Sequence, residues 1–166
     1  AFDEREHAHV DQRGAAMAVL VHLAQRGEAA QGVGISRNLL DLTRMDIFYL
    51  NAQIGEASVT NPAPAVVTEQ LLYTLPPRAP LVRYQSHSSL TDGAPVLTQP
   101  QIQRIGCALG AVHEHFRPLL DPRGEDHLFA MQIEWKLMRD GSLVVKQARP
   151  QPFGNVELPA DCREFE

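Results

Sequence analysis

The sequence is poor in lysine and has no long apolar stretch. Its 166 residues include only two lysines against thirteen arginines, and its formal net charge at pH 7 is −5. This balance argues against a duplex nucleic-acid binder, which needs a broad basic surface, but it leaves room for a nucleotide, whose phosphates require only a few cations. No apolar run approaches the roughly 18 residues of a membrane span. We therefore expect neither nucleic acid nor a membrane as a partner.

Several motifs that would define other classes of protein are also missing. The two cysteines, Cys107 and Cys162, form no CxxC pair, so we expect reduced thiols. The chain has no HExxH metal spacing, no GxSxG nucleophile elbow, and no third glycine after Gly32-x-Gly34, which excludes the usual zinc-protease, serine-hydrolase and dinucleotide-binding signatures. The opening residues do not follow the pattern of a secretory signal, and we expect a cytoplasmic protein.

The apolar pattern predicts an α+β fold, with a largely antiparallel sheet and flanking helices. One helix is clearly marked, because Thr98 and Gln101 form a capping box, apolar residues recur at helical spacing up to Phe116, and Pro118 is expected to end the helix. Residues 27–31 are expected to be a break between strands. Strands are predicted at residues 17–23, 32–36, 46–51, 128–137 and 143–150. Residues 65–73 are expected to be strand or extended chain, and three prolines make a stiff connector to residues 81–84.

This pattern divides the chain into three parts. Residues 1–16 are a lead-in segment, residues 17–150 form the folded domain, and residues 151–166 form a tail or linker. His113 and His115 fall on the predicted helix. Residues two apart on a helix point about 200° away from each other, so this pair cannot chelate one metal ion, and we expect solvated or capping histidines.

The most informative segment is a predicted hairpin at the end of the domain. The Asp-Gly pair at residues 140–141 indicates a two-residue turn with both φ angles positive. In that register Glu134 lies opposite Gln147, and Gln132 lies opposite Arg149. Opposed side chains project to the same face, so the four polar groups form one cluster. The other face is expected to be core-like and carries Met131, Ile133, Trp135 and Leu137 against Val144, Lys146, Ala148 and Pro150.

The polar cluster suits a phosphate and its metal ion. Mg²⁺ takes one or two oxygen ligands from the protein and the rest from phosphate and water. A neighbouring guanidinium can bind a phosphate with two hydrogen bonds or stabilise a transferring phosphoryl group. The alternative is a solvated sheet face with a cross-strand ion pair.

Three blocks resemble the pyruvate,phosphate dikinase and phosphoenolpyruvate synthase family. Residues 32–38 read Gly-Val-Gly-Ile-Ser-Arg-Asn, similar to the family's Gly-Val-Ala-Phe-Thr-Arg-Asn. Residues 49–56 resemble its strand and loop containing Asn-Ala-Gln-Gly-Glu, and residues 132–150 resemble its closing hairpin, which ends in Gln-Ala-Arg-Pro. The blocks stand in the family's order. The chain thus resembles the C-terminal half of an ATP-grasp nucleotide-binding domain, excised from a longer protein.

The resemblance implies ATP and Mg²⁺ as cofactors. Glu134 and Gln147 would ligate the Mg²⁺ ions that bridge the ATP phosphates, and Arg149 would bind the phosphoryl group being transferred. Arg37 would lie near the phosphates or support its own loop. The chain after Val21 would match the hinge whose backbone meets the adenine. The residues assigned to the cofactor site are Arg37, Gln53, Glu56 and Gln132.

The sequence also departs from the family pattern. Ile54 interrupts the Gln-Gly-Glu run, Leu39 stands where a proline is common, and Lys146 replaces an apolar residue before Gln147. The family's N-terminal ATP-grasp half, its phosphohistidine domain and its pyruvate-binding barrel do not occur in these residues. The first two would be partners from the parent chain, an ATP-dependent phosphotransferase, and the isolated chain would be inactive. The alternatives are a degenerate ATP-grasp half that acts as an interaction or regulatory module, and an unrelated antiparallel α+β binding domain.

Overall fold

The computed structural model describes residue 21, residues 26–75 and residues 81–153. These residues form a small α+β fold with one six-stranded antiparallel sheet and one helix. The strand order is β4-β3-β2-β1-β5-β6. The elements are β1 (Glu28–Ile35), β2 (Ile47–Ile54), β3 (Glu69–Thr74), β4 (Val82–Ser86), α1 (Gln99–Leu120), β5 (Met131–Met138) and β6 (Leu143–Pro150).

Five of the six predicted strands have a counterpart in the sheet, and β4 was not predicted as a strand. The sixth, at residues 17–23, lies outside the described residues except for residue 21, as do the lead-in at residues 1–16 and residues 154–166 of the tail. No helix in the described part of the chain is both long and apolar enough to cross a membrane.

Several predicted boundaries are wrong. β3 begins at Glu69 and not at residue 65, and β5 begins at Met131 and not at residue 128. The expected break at residues 27–31 is mostly strand, because the turn is confined to Gly27, which has a φ of +83°, and β1 begins at the next residue. The helix does not end at Pro118 but continues to Leu120. Proline so close to the end removes few helical hydrogen bonds, and the N–H of Asp121 donates to the carbonyl of Arg117 at 2.8 Å. The start is as predicted, since the N–H of Thr98 donates to the side chain of Gln101 at 2.8 Å.

Helix α1 covers one face of the sheet, which we call the helix face. Its buried stripe packs on apolar side chains from all the inner strands. The stripe consists of Ile102, Ile105, Gly106 and Leu109. The sheet residues beneath it include Phe48, Leu50, Leu71, Tyr73, Ile133 and Trp135. Because side chains alternate along a strand, the residues between these core positions lie on the opposite face of the sheet.

The opposite face, which we call the loop face, has a smaller apolar cluster at its centre. Val33, Ile35, Tyr49 and Leu72 form that cluster, with Ala130. Partly buried side chains pack over it from the loop after β2 and from the segment after β6, namely Val59 and Phe153. Polar residues surround the cluster at both edges of the sheet, so the loop face carries candidate ligand groups.

Two glycines one turn apart in α1 give a matched test of the packing on the helix face. A Cβ on Gly106 would lie 2.5 Å from the ring of Tyr73, whereas a Cβ on Gly110 would have nothing nearer than Phe48 at 3.8 Å. We expect Gly106→Ala to lower the free energy of unfolding by about 1–3 kcal/mol, as overpacking does. We expect Gly110→Ala to raise it by about 0.5–1 kcal/mol through helix propensity. Urea unfolding followed by circular dichroism measures both, and equal effects of the two substitutions would contradict this packing.

Candidate functional site

The hairpin between β5 and β6 closes with a three-residue loop, not the predicted two-residue turn. Gly141 has a φ of +83°, but Asp140 does not have a positive φ. The N–H of Gly141 donates to the carbonyl of Met138 at 2.9 Å, and the N–H of Met138 donates to the carbonyl of Ser142 at 2.8 Å. This is the common hairpin loop in which a type I turn is followed by a left-handed glycine. The Asp140 carboxylate stabilises it by accepting from the N–H of Ser142 at 2.8 Å.

A second irregularity restores the predicted pairing further along the hairpin. The longer loop shifts the register by one, so that Trp135 pairs with Val145. A β-bulge then places Lys146 as an extra residue in β6, and Glu134 lies opposite Gln147 as predicted. The predicted pairing is confirmed at this position although the predicted turn is wrong, because the two one-residue shifts cancel.

The bulge changes the direction of one side chain. We expected Lys146 on the core-like face of the hairpin and Gln147 on the other face. Instead Val145 takes the helix-face position beside Trp135, and Lys146 lines a cavity on the loop face together with Glu134. The pKa of the Glu28 carboxyl is lowered mainly by a hydrogen bond from Lys136, and the charge of Lys146 adds to this effect. Bulges commonly redirect a side chain in this way near functional sites.

The cavity has a volume of about 150 Å³. The hairpin contributes Glu134 and Lys146 to its walls, and the loop after β2 contributes Glu56 and Ser58. That loop is held against the sheet because the amide of Gln31 donates to the carbonyl of residue 57 at 3.0 Å. Two of the predicted site residues, Glu56 and Glu134, are therefore brought together, with a lysine beside them that the resemblance did not include.

The remaining residues of the polar cluster lie at the outer part of the hairpin. Gln132 is buried and lies opposite Arg149. The guanidinium of Arg149 donates to the side-chain oxygen of Gln132 at 3.3 Å. Since Arg149 is exposed and this contact uses one of its five N–H donors, the others can meet a ligand.

Two predicted residues belong neither to the cavity nor to the polar cluster of the hairpin. Gln53 has an exposed fraction of 0%, and its amide is satisfied internally: it donates to the carbonyl of Val67 at 3.2 Å and accepts from Ser88 at 2.5 Å. Arg37 is buried, and it donates to the backbone carbonyls of Leu42 and His127. Burial lowers the pKa of the Arg37 guanidinium. Of the two roles expected for Arg37, the structure shows the support of loops.

The prediction of solvated or capping histidines is wrong for His113. Its Nδ1 lies 2.8 Å from the hydroxyl oxygen of Ser36, and burial lowers the pKa of the imidazole. The Ser36 hydroxyl also accepts from the N–H of Met131 at 2.8 Å. The contact between Ser36 and His113 ties α1 to the junction of β1 and β5.

The donor set of the hairpin fits a metal ion that arrives with phosphates. Within residues 26–75 and 81–153, no group of three or more His, Cys, Asp or Glu side chains could hold a metal. Glu134 and Gln147 together offer one carboxylate and one carboxamide oxygen from adjacent positions. Two protein oxygens are what Mg²⁺ takes when phosphate and water supply its other ligands.

No protein-family model matches the chain. A search of curated proteins likewise found no match. The function proposed below therefore depends on the geometry of this site and on the similarity of three sequence blocks to the dikinase family.

A buried ion pair near the cavity gives a test of pH dependence. Lys136 donates to the carboxylate of Glu28, and both side chains are largely buried. The hydrogen bond from Lys136 lowers the pKa of Glu28 below its ordinary value of 4.5. Because the folded-state pKa lies below the unfolded one, the stabilisation is complete above about pH 4.5 and is lost as the pH falls through the folded-state pKa.

We expect Lys136→Met to lower the free energy of unfolding by about 3 kcal/mol at pH 7, because it leaves a buried carboxylate without a partner. The difference from the wild-type chain should shrink as the pH is lowered towards 3, because protonation of Glu28 removes the unpaired buried charge. Urea unfolding at pH 7, 5, 4 and 3 measures it. Arg123→Met is the control, since Arg123 and Glu125 form an exposed pair. A difference that stays the same down to pH 3 would contradict the assignment.

Proposed function

We propose that this chain is the ATP- and Mg²⁺-binding C-terminal half of an ATP-grasp domain, from a dikinase-like phosphotransferase that passes a phosphoryl group from ATP to a histidine on a separate domain. The observation that carries the proposal is the hairpin pairing of Glu134 with Gln147 and of Gln132 with Arg149. It puts a carboxylate, a carboxamide and a guanidinium on one face of the sheet. The family resemblance assigns these same residues to magnesium and phosphate.

The metal end of this site is accessible. Gln147 is exposed and Glu134 is half-buried, so both side-chain oxygens can reach a ligand without displacing the core. A phosphate-bound Mg²⁺ needs only one or two oxygens from the protein. This arrangement therefore favours a magnesium nucleotide over the bare ion.

The phosphate end has two cations. Arg149 is oriented by Gln132 and can bind a phosphate with two parallel hydrogen bonds. Lys146 lies beside Glu134 in the cavity, where it offsets the repulsion that the carboxylates of Glu56 and Glu134 exert on a phosphate chain. Catalysis of phosphoryl transfer consists mainly of such positioning and charge stabilisation.

The partners of the intact enzyme would be its N-terminal ATP-grasp half and its phosphohistidine domain. The hairpin and the loop after β2 contact a nucleotide from one side only. The isolated chain should therefore bind MgATP weakly and should not turn it over.

A degenerate half that acts as an interaction module is the second candidate. The internal hydrogen bonds of Gln53 favour it, because that side chain is not free to meet a nucleotide. Failure of MgATP to bind in the titration below would support this candidate.

Titration with MgATP tests the proposal, and the chain carries its own reporter. Trp135 is its single tryptophan and adjoins Glu134 at the cavity, so its fluorescence should change as MgATP binds. We expect Glu134→Gln and Arg149→Ala each to weaken binding by about tenfold or more, because each removes a charged contact.

The matched controls for this titration are Glu125→Gln and Arg123→Ala, which alter an exposed pair outside the cavity. They should leave the affinity unchanged. Saturable MgATP binding that is indifferent to both site substitutions would refute the site, and so would binding that does not require Mg²⁺.

Lys146 gives a narrower test within the same titration. We expect Lys146→Met to weaken MgATP binding by roughly threefold, as loss of one exposed charge does, and to reduce its dependence on salt concentration. Lys146→Arg should retain most of the affinity because it retains the charge. Equal affinity of the wild-type chain and Lys146→Met would contradict a role for Lys146 while leaving the assignments of Glu134 and Arg149 standing.

A further inference from the structure

A second cavity lies on the loop face, at the end of the sheet away from the β5–β6 hairpin. Its volume is about 390 Å³, within the range of roughly 300–1,000 Å³ typical of small-molecule sites. It is bounded by β2, β3 and β4 and by the loop between β1 and β2. None of its lining residues belongs to the proposed nucleotide site.

The floor of this cavity is apolar. Leu72 is buried at its base, beside Ile47. Two further leucines form the rim, Leu40 and Leu81, and both are more than half exposed. Such a floor favours a ligand with a flat or aliphatic body that can exclude water from it.

One cation, Arg83, lines this cavity next to its apolar floor. It lies directly opposite Leu72 in the register between β3 and β4. Within residues 26–75 and 81–153, no carboxylate lies within ion-pair distance of Arg83. By contrast, the other arginine of the cavity, Arg44, is held by Asp46 at 3.2 Å.

The acidic residue of the cavity does not neutralise Arg83 either. The Asp41 carboxylate is engaged in its own turn, where it accepts from the N–H and the hydroxyl of Thr43. Uncharged hydrogen-bonding groups complete the walls at Thr74 and Gln85. Gln85 is the extra residue of a bulge in β4, as Lys146 is in β6.

We propose that this cavity binds a small organic anion, with its carboxylate or phosphate on Arg83 and its apolar body on Leu72 and Ile47. A guanidinium suits either group, since it can donate two parallel hydrogen bonds to both. The site is independent of the proposed nucleotide function, because it uses other strands and other charges.

Amide NMR of the ¹⁵N-labelled chain, titrated with four probes, tests this proposal. Phenyl phosphate and benzoate each combine an anionic group with an apolar body. Inorganic phosphate has only the anionic group, and phenol has the apolar body without a negative charge. We expect phenyl phosphate, benzoate or both to shift the amide signals of Leu72, Thr74 and Arg83 saturably, and more tightly than either partial probe. Whichever of phenyl phosphate and benzoate binds more tightly identifies the anionic group that the site prefers.

Arg83→Gln should weaken that binding by about tenfold or more, since it removes the charge-assisted hydrogen bonds. Arg83 is exposed, so the variant should keep the dispersed spectrum of the folded chain. Arg123→Gln, an exposed arginine outside the cavity, should bind as the wild-type chain does. The proposal is overturned if no probe gives saturable shifts at these residues, or if Arg83→Gln binds as tightly as the control.

Discussion

The packing of α1 on one face of the sheet is the constraint on which the rest of the molecule depends. Because side chains alternate along a strand, a strand that sends Trp135 or Ile133 to the helix must send its neighbours to the loop face. The polar residues of the hairpin, such as Glu134, therefore lie where a ligand can reach them. The glycines of β1 and α1 allow this packing, since a Cβ on Gly32 would lie 2.4 Å from the Trp135 ring.

Strict alternation is interrupted at three places, and each interruption adds a residue to a strand. The extra residues are Ala29 in β1, Gln85 in β4 and Lys146 in β6. The last two lie on the edge strands of the sheet, where bulges also discourage edge-to-edge pairing. Both line cavities on the loop face, so the same irregularities that protect the edges also supply polar groups to the two candidate sites.

A continuous row of paired residues links the two sites across the loop face. An arginine stands at each end of the row, on an edge strand, and the centre is apolar and covered. In order from β6 to β4, the row is Arg149, Gln132, Ile35, Tyr49, Leu72 and Arg83. Five strand spacings of about 4.8 Å separate the two arginines. That distance and the covered centre favour two separate sites over one large one.

From the sequence alone, the α+β class, the start of the helix at Thr98 and most strands could be predicted, because caps, turns and hydrophobic periodicity act over a few residues. The pairing of Glu134 with Gln147 was also predicted, although the loop at Gly141 was not, since the two register shifts cancelled. Only the tertiary structure decided which polar groups are available. Gln53 is buried and hydrogen-bonded inside the protein, whereas Lys146 lines a cavity. Both outcomes depend on contacts between strands that are distant in sequence, because those contacts determine which side chains are buried and where a bulge forms.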